Sequence, residues 1–336
     1  MTKKAFFYVT VTLALCSFLS LTFFSVGEVA AKKMTIKAIS AWGTQDGSVK
    51  EDYLGFIAAA NKKIEAMYPG EFEIKYIGGP EVIPTRDQAD ALRVGTADMY
   101  FGTPAYYMGM APAANSSKMT MLTPWEERES GAHALFDEIH REKVNSVYLG
   151  RLGNQLPFQL WLNKKISSPD DLKGMNIRIS PMYLDFAKAL GVNPIATKPG
   201  DIYQGIERGV FNGTWWPFTK FRDWGFHEVA KYAVGPGIYN VCHPVLVNLD
   251  TWNKIPVRIQ GLLMAVMMQE ERAVVARDYE KIKKETAALK AAGITFIEFS
   301  PSDTKRYLDL SQSSGWAGES KRAGKWGPTL RKMLSK

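Results

Sequence analysis

The chain has 336 residues, 46% of them hydrophobic and 23% charged, and a formal net charge of +8. Its basic residues are scattered, with no dense stripe and no recognisable nucleic-acid-binding module, so the excess charge reads as a solvated surface with a weak pull on anionic ligands. Two cysteines, Cys16 and Cys242, and four dispersed histidines leave no C-x-x-C or H-x-x-x-H spacing for a metal centre and imply no cofactor.

Lys3 and Lys4 precede an uncharged apolar run, Ala5 to Phe24, and Val29-Ala30-Ala31 offers a small-residue exit before Lys32. This pattern predicts a signal peptide over residues 1–31, cleaved near Ala31, and a periplasmic mature protein. The run is also long enough for a permanent membrane anchor, but the small-residue exit is what a signal peptidase reads. A lipoprotein site at Cys16 lacks its small preceding residue, since Leu15 stands there. Once Cys16 is removed, Cys242 is alone and an intramolecular disulfide is impossible. The remaining roughly 300 residues suit two domains resting on their cores.

Thr35 to Ala41 alternates like a strand and is broken at Trp42-Gly43-Thr44. A helix is expected from about Val49 to Met67, with Tyr53, Phe56, Ile57, Ala60 and Ile64 on one face. Phe72 to Ile77 reads as a second strand, Arg86 to Val94 as a helix stopped by Gly95, and Ala97 to Phe101 as a short strand. This order argues for a parallel or mixed sheet covered by helices. Further on, Ser146 to Gly150, Gln159 to Asn163 and Asn176 to Ser180 read as strands. Ser168 to Gly174 has the cap, the first-position proline and the glycine stop of a short helix. Helices follow at Tyr183–Leu190 and Asp201–Arg208.

Ala91 to Asp98 and Gly205 to Asn212 share one plan: an apolar helix end, a glycine stop, and an Asp or Asn shortly after. Either two similar lobes or a common helix exit explains the echo. The longest helical stretch, about Arg258 to Ala292, would reach roughly 50 Å at ~1.5 Å per residue, enough to bridge two lobes. Gly293 ends it and Ile294 to Phe299 reads as a strand.

Enzyme readings find little support. There is no G-x-S-x-G, and Gly78-Gly79-Pro80 lacks the Gly-Lys-Ser/Thr ending of a phosphate loop. Cys242 and His243 are adjacent on a segment that follows the strand-like run Ile238 to Val241, so their side chains point to opposite faces and do not make a nucleophilic dyad.

The segment Asn163 to Arg178 (NKKISSPDDLKGMNIR) resembles the N-x-x-I-x-S-x-x-D-L-K-G-x-x-x-R run of the extracytoplasmic solute receptors of tripartite ATP-independent periplasmic (TRAP) transporters, the DctP-like family. Asp201 to Gly213 and Ala91 to Met99 are similar to two further family segments, in the same order. The resemblance implies an α/β fold of two lobes with a ligand cleft between them and a long helix spanning both. It implies lobe I over residues 32–155 and 241–281, and lobe II over 156–240 and 282–336. It also implies a small carboxylate as ligand, a small and a large integral membrane subunit as partners, and a monomer. A receptor for an ATP-driven importer and a ligand-sensing module for a membrane sensor kinase are the alternatives.

Arg178 is the leading site candidate. It ends a short strand, where α/β sheets bind ligands, and its guanidinium fork matches a carboxylate; from composition alone it reads first as one half of an ion pair, an order that the motif reverses. The resemblance assigns it the carboxylate clamp. Trp216 stands before Pro217, where sugar-acid-binding members often carry Asn, and Phe158 stands where they carry a second arginine. The resemblance also brings Trp42, after the first strand, Thr103, at a position that can be acidic, and His243, on a lobe-crossing segment, to the pocket. Trp215 is a further candidate, although it, Trp161 and Trp224 read first as packing residues. Together these residues predict an aromatic or bulky apolar monocarboxylate: an aromatic amino acid, an aryl 2-oxo acid, or an indole or aryl acetate.

Overall fold

The computed structural model describes residues 33–153 and 156–335; the expected signal peptide and cleavage site lie outside them. The first segment runs β1 (Met34–Ser40), α1 (Leu54–Met67), β2 (Phe72–Gly78), α2 (Gln88–Arg93), β3 (Met99–Phe101), α3 (Pro124–Ser130), α4 (Ala132–Val144) and β4 (Ser146–Leu152). The second runs β5 (Pro157–Leu162), β6 (Asn176–Ile179), α5 (Leu184–Ala189), β7 (Asn193–Ala196), α6 (Ile202–Glu207), β8 (Gly213–Pro217) and β9 (Tyr232–Asn240). The chain then makes β10 (His243–Asn248), α7 (Leu249–Trp252), α8 (Val257–Ala291), β11 (Thr295–Ile297), α9 (Pro301–Arg322) and α10 (Gly327–Leu334).

These strands form two sheets, ordered β2-β1-β3-β10-β4 and β11-β9-β5-β8-β6-β7. In the first, β1 pairs in parallel with β2 and β3, and β10 lies antiparallel between β3 and β4. In the second, β6 is parallel to β7 and β8, while β5 is antiparallel to β8 and β9. β4 is buried along its whole length, whereas β1 alternates at its start, with Thr35 and Lys37 exposed, before the buried run Ala38 to Ser40.

Two features of the sequence acquire their physical reason here. Gly95 and Gly209 end their helices in the left-handed region, at φ 78° and 74°. Three residues later, Asp98 and Asn212 each accept a neighbouring strand's N–H through the side chain, from Lys37 at 2.8 Å and Asn176 at 3.0 Å. The backbone N–H of Asp98 returns to the Lys37 carbonyl, and that of Asn212 to the Asn176 carbonyl. The echo is therefore one supersecondary unit built twice, once in each sheet. The Ser168–Gly174 segment, by contrast, is a single 3-10 turn, Pro169–Leu172, in which Asp171 accepts the N–H groups of Ser167 and Ser168. The helix expected from Val49 opens as a π-helical turn, Ser48–Tyr53, before α1.

The chain passes between the sheets at β4 to β5, at β9 to β10 and along α8. The first two passages run side by side: His243 faces Leu152, Asn240 faces Pro157, and the Val241 N–H meets the Leu156 carbonyl at 3.1 Å. Ile259, Leu263, Val266 and Met267 of α8 enter the core of the first sheet, and Leu289, at its far end, enters that of the second with Trp161 and Phe221. The helix thus ties both lobes along its 35 residues.

Candidate ligand-binding site

The ends of parallel strands from both sheets converge on one cavity. Trp42 follows β1, Thr103 follows β3, Arg178 lies in β6 and Trp216 near the end of β8; all four line it, with Phe158 of β5, Trp215 of β8 and His243 of β10. The seven residues singled out in the sequence are therefore brought together. The cavity has a volume of about 70 Å³. A larger, open cavity of about 630 Å³ backs onto it through Lys220 and His243. Several of its charged wall residues are engaged, Lys281 with Glu51 at 2.9 Å, Arg277 with Asp52 at 3.5 Å, and Glu285 with the neighbouring Arg222 at 2.8 Å.

Arg178 is 3% exposed. One terminal nitrogen donates to the Thr197 carbonyl at 2.6 Å, and Nε has no partner. No carboxylate among the described residues forms a salt bridge with it. Burial pulls the guanidinium down to about 10, against a weaker upward pull from the Tyr183 and Tyr106 hydroxyls. An isolated, buried cation with an unpaired N–H is costly unless an anion arrives.

The walls are aromatic. Arg178 lies over the Trp216 ring at 5.8 Å, and Trp216 packs edge-on against Trp224 and Phe226. Trp216 Nε1 is buried without a partner. Trp215 faces the other way along the strand: its Nε1 donates to the Tyr307 hydroxyl at 3.2 Å, and its ring meets Tyr183 and Phe186. Phe158 is edge-on to Tyr183 at 5.3 Å. Trp42 donates from Nε1 to the Tyr106 hydroxyl at 3.1 Å and tilts over His243 at 4.8 Å. Trp161 stacks on Phe221 at 3.7 Å, away from the cavity.

His243 is buried, and desolvation holds its imidazole well below the usual range, reinforced by the Lys220 cation and opposed by Asp46. It is a neutral polar group at the cavity wall. Thr103 precedes the turn Pro104–Tyr106, and its side chain makes no capping bond. Cys242 points away and is buried and free, its Sγ near the Ser117 carbonyl at 3.2 Å, its thiol pushed up to about 11 by burial. Among the described residues, no group of three or more His, Cys, Asp or Glu side chains is placed to hold a metal ion.

Among the lining residues that escape a reading of the sequence are Asp46, Arg86, Tyr106, Tyr183 and Lys220. Lys220 donates to both Asp46 carboxylate oxygens. Burial pushes the Asp46 carboxyl up, but Lys220 and Ser48 together overcome this and hold it at about 2. The pair is therefore internally neutral, and Arg178 remains the cavity's buried, unneutralised cation.

Residues 48–314 match the model of the family described as bacterial extracellular solute-binding protein, family 7. The chain is 26% identical over 251 residues to a monocarboxylate 2-oxoacid-binding periplasmic protein of Nostoc sp., covering 71% of this chain and 68% of that protein. Among solved structures, it resembles a TRAP periplasmic solute-binding protein from Desulfovibrio salexigens with bound orotic acid, at TM-score 0.78, 21% identity, 90% of this chain and 97% of that one. It also resembles a TRAP solute-binding protein from Bordetella bronchiseptica with copurified calcium and picolinate, at TM-score 0.73, 22% identity, 90% of this chain and 92% of the other.

Proposed function

Because this chain belongs to the bacterial extracellular solute-binding proteins of family 7, the receptors of TRAP transporters, we propose a ligand within that family's chemistry: a monocarboxylate with a ring or bulky apolar body, and most specifically a 2-oxo acid. The coarser function follows from membership. The protein is a periplasmic receptor for small organic acids that works with integral membrane subunits, and it is not an enzyme.

The observation that carries the finer reading is a pair of buried, unpartnered donors on side chains lining one aromatic cavity, Arg178 Nε and Trp216 Nε1. Buried donors are almost always satisfied, and a 2-oxo carboxylate brings acceptors for both: carboxylate oxygens for Arg178 and the oxo oxygen for Trp216. His243, neutral at the wall, is a third polar contact. The rings of Phe158, Trp42 and Trp216 then receive the apolar body, each aromatic contact adding ~0.5–1.5 kcal/mol beyond burial. The volume of about 70 Å³ accommodates on the order of five water centres, the bulk of an acid with one ring or a branched chain. The Nostoc relative is described as binding monocarboxylate 2-oxo acids, and the same fold holds the flat ring acids orotate and picolinate in the two solved structures. These names support the reading.

The proposed cycle is closure without chemistry. Ligand enters, its carboxylate pairs with Arg178, and the lobes close by hinge motion around the paired passages beside Val241. We take residues 32–155 with 241–281, and 156–240 with 282–336, as the two moving bodies of a monomer; the membership of β1–β4 and β10 in one sheet, and of β5–β9 and β11 in the other, supports this division. The test is native mass spectrometry of the purified mature protein, followed by calorimetry against phenylpyruvate, 4-methyl-2-oxopentanoate, indole-3-acetate, succinate and sialate. Release or tight binding of a 2-oxo monocarboxylate is expected. Binding of succinate or sialate alone would overturn the ligand assignment and leave the family intact.

A further inference from the structure

The cavity is lined by a second guanidinium, Arg178 being the first, that no carboxylate among the described residues neutralises. Arg86 lines it, and among the described residues its side chain has no ion-pair or hydrogen-bond partner. The one carboxylate in the cavity wall, Asp46, is taken by Lys220 and Ser48. Arg86 stands just before α2, which packs on β3 and β10, so it belongs to the five-stranded sheet; Arg178 belongs to the six-stranded one.

The backbone around Arg86 is pinned to the end of β1. The Thr85 hydroxyl donates to the Ala41 carbonyl at 3.0 Å, and Gln88 Nε2 donates to the Ser40 carbonyl at 2.8 Å and the Ile83 carbonyl at 2.9 Å. These bonds on both sides place Arg86 beside the Trp42 turn. Arg86 itself is exposed, so its head stays hydrated at the cavity mouth while Arg178 is desolvated inside.

We infer that Arg86 is the second jaw of an anion clamp: it closes from the five-stranded lobe onto the same carboxylate that Arg178 holds from the six-stranded lobe, so that ligand charge draws the lobes together. The inference rests on the proposed carboxylate ligand and adds what that reading lacks, a reason for closure. A ligand shifts an open–closed equilibrium only through contacts that differ between the two states. Arg178 alone contacts the carboxylate in either state, because it moves with its own lobe. Arg86 reaches that carboxylate only when the lobes meet. Without an anion, the two guanidiniums that line one small cavity repel each other and oppose closure; with one, each is attracted to it. The mutual influence is visible electrostatically: after burial and the tyrosines, Arg86 is among the charges that depress Arg178, and both cations act on the Tyr106 hydroxyl.

The experiment compares the wild-type mature protein with Arg86→Gln and Arg86→Lys, Arg178 being untouched. Calorimetry with phenylpyruvate should show Arg86→Gln weakened about tenfold or more, with Arg86→Lys between. Small-angle scattering at low salt should show the ligand-free Arg86→Gln protein more compact than wild type. On saturation with phenylpyruvate, it should contract less than wild type does. Affinity within about twofold of wild type, with an unchanged contraction, would overturn the inference. If wild type binds none of the acids, the ligand reading fails separately, and the ligand-free scattering decides alone: equal radii of gyration at low salt would refute opposition between the two cations.

Discussion

Lys220 Nζ donates to both carboxylate oxygens of Asp46, at 2.8 and 3.2 Å, and to Ser48 Oγ at 2.7 Å, although the two charged residues lie 174 positions apart and hang from different sheets. The pair is buried and crosses the cleft, so it acts on the closed arrangement. Replacing Lys220 by Met leaves Asp46 buried without its cation, a loss of about 3–5 kcal/mol for pairs of this kind. The Lys220→Met protein should unfold at lower urea and scatter with a larger ligand-free radius, and Asp46→Asn in the same chain should restore part of the loss. Because Asp46 is held at about 2 against an ordinary 3.8, its contribution is complete above pH 4 and disappears as pH falls toward 2. Unaltered urea midpoints for Lys220→Met at pH 7 would contradict this.

Arg178→Lys keeps the charge and removes the planar fork and the Nε donor. An affinity loss of at least tenfold, about 1.4 kcal/mol or more, is expected for phenylpyruvate by calorimetry. Thermal stability without ligand should hold or rise slightly, since a buried guanidinium that burial depresses to about 10 is replaced by a group that deprotonates more readily. Equal affinity would remove Arg178 from the role of clamp.

Behind the cavity, Lys118 Nζ donates to Glu319 Oε1 at 2.7 Å and also to the carbonyl of Met182, a cavity residue. Both charged side chains are buried, and Asn115 donates to the same Glu319 oxygen at 2.9 Å. Arg322 donates to that oxygen too, at 2.7 Å, so Lys118→Met should cost less than the ~3–5 kcal/mol of a fully stranded partner and, by freeing the Met182–Tyr183 turn, weaken ligand binding. Denaturant unfolding and calorimetry on one preparation test both effects. A variant that loses neither would show the network to be neutral.

His140 predicts how stability responds to pH. Its Nδ1 lies 2.6 Å from the Phe136 carbonyl, which only accepts, so Nδ1 carries the proton. Nε2 is then the acceptor for the Tyr107 hydroxyl at 3.0 Å. Burial, opposed by the Phe136 carbonyl, holds the imidazole at about 4. Between pH 6.5 and 4 the unfolded chain takes up a proton that the folded protein refuses, so stability should be constant above about 6.5 and fall on acidification, by on the order of 3 kcal/mol at pH 4. His140→Gln should flatten the curve of urea midpoint against pH. His133, also held at about 4, adds to the slope that remains.

What the sequence discloses is local. Arg178, Phe158 and Trp216 were legible because the first ends a contiguous run of recognisable spacing, the second stands twenty residues before it, and the third closely follows the Asp201–Gly213 segment. The repeated helix exits at Gly95 and Gly209 were legible because a left-handed stop demands glycine. Asp46–Lys220 and Lys118–Glu319 were not, since a pairing across 174 or 201 positions leaves no periodicity in either segment. Arg86 reads as the first residue of a helix; only the hydrogen bonds of Thr85 and Gln88 to the end of β1 place it at the cavity. The strand Gly213–Pro217 is almost uniformly buried and carries no alternation to detect. Helix α9 had a usable signal, since Ser300 caps it by accepting the Asp303 N–H at 3.1 Å, but its mostly polar sequence hides the buried face of Tyr307, Gly315 and Trp316.

Trp216→Phe separates the two tasks proposed for this side chain. Phenylalanine keeps a ring over Arg178 and against Trp224 and Phe226, and removes only the buried Nε1 donor. If that donor meets the oxo oxygen of the ligand, affinity for phenylpyruvate should fall by about tenfold, the ~1.4 kcal/mol of one hydrogen bond. Affinity for 3-phenylpropionate, which has the same carboxylate and ring but no oxo group, should stay within about twofold or improve, because the variant no longer strands a donor when this acid is bound. The ratio of the two affinities is therefore the quantity to measure, since a general loss of packing would lower both together. A ratio unchanged from wild type would leave Trp216 as a wall of the cavity and move the recognition of the oxo group to another polar residue, with neutral, buried His243 next to be replaced.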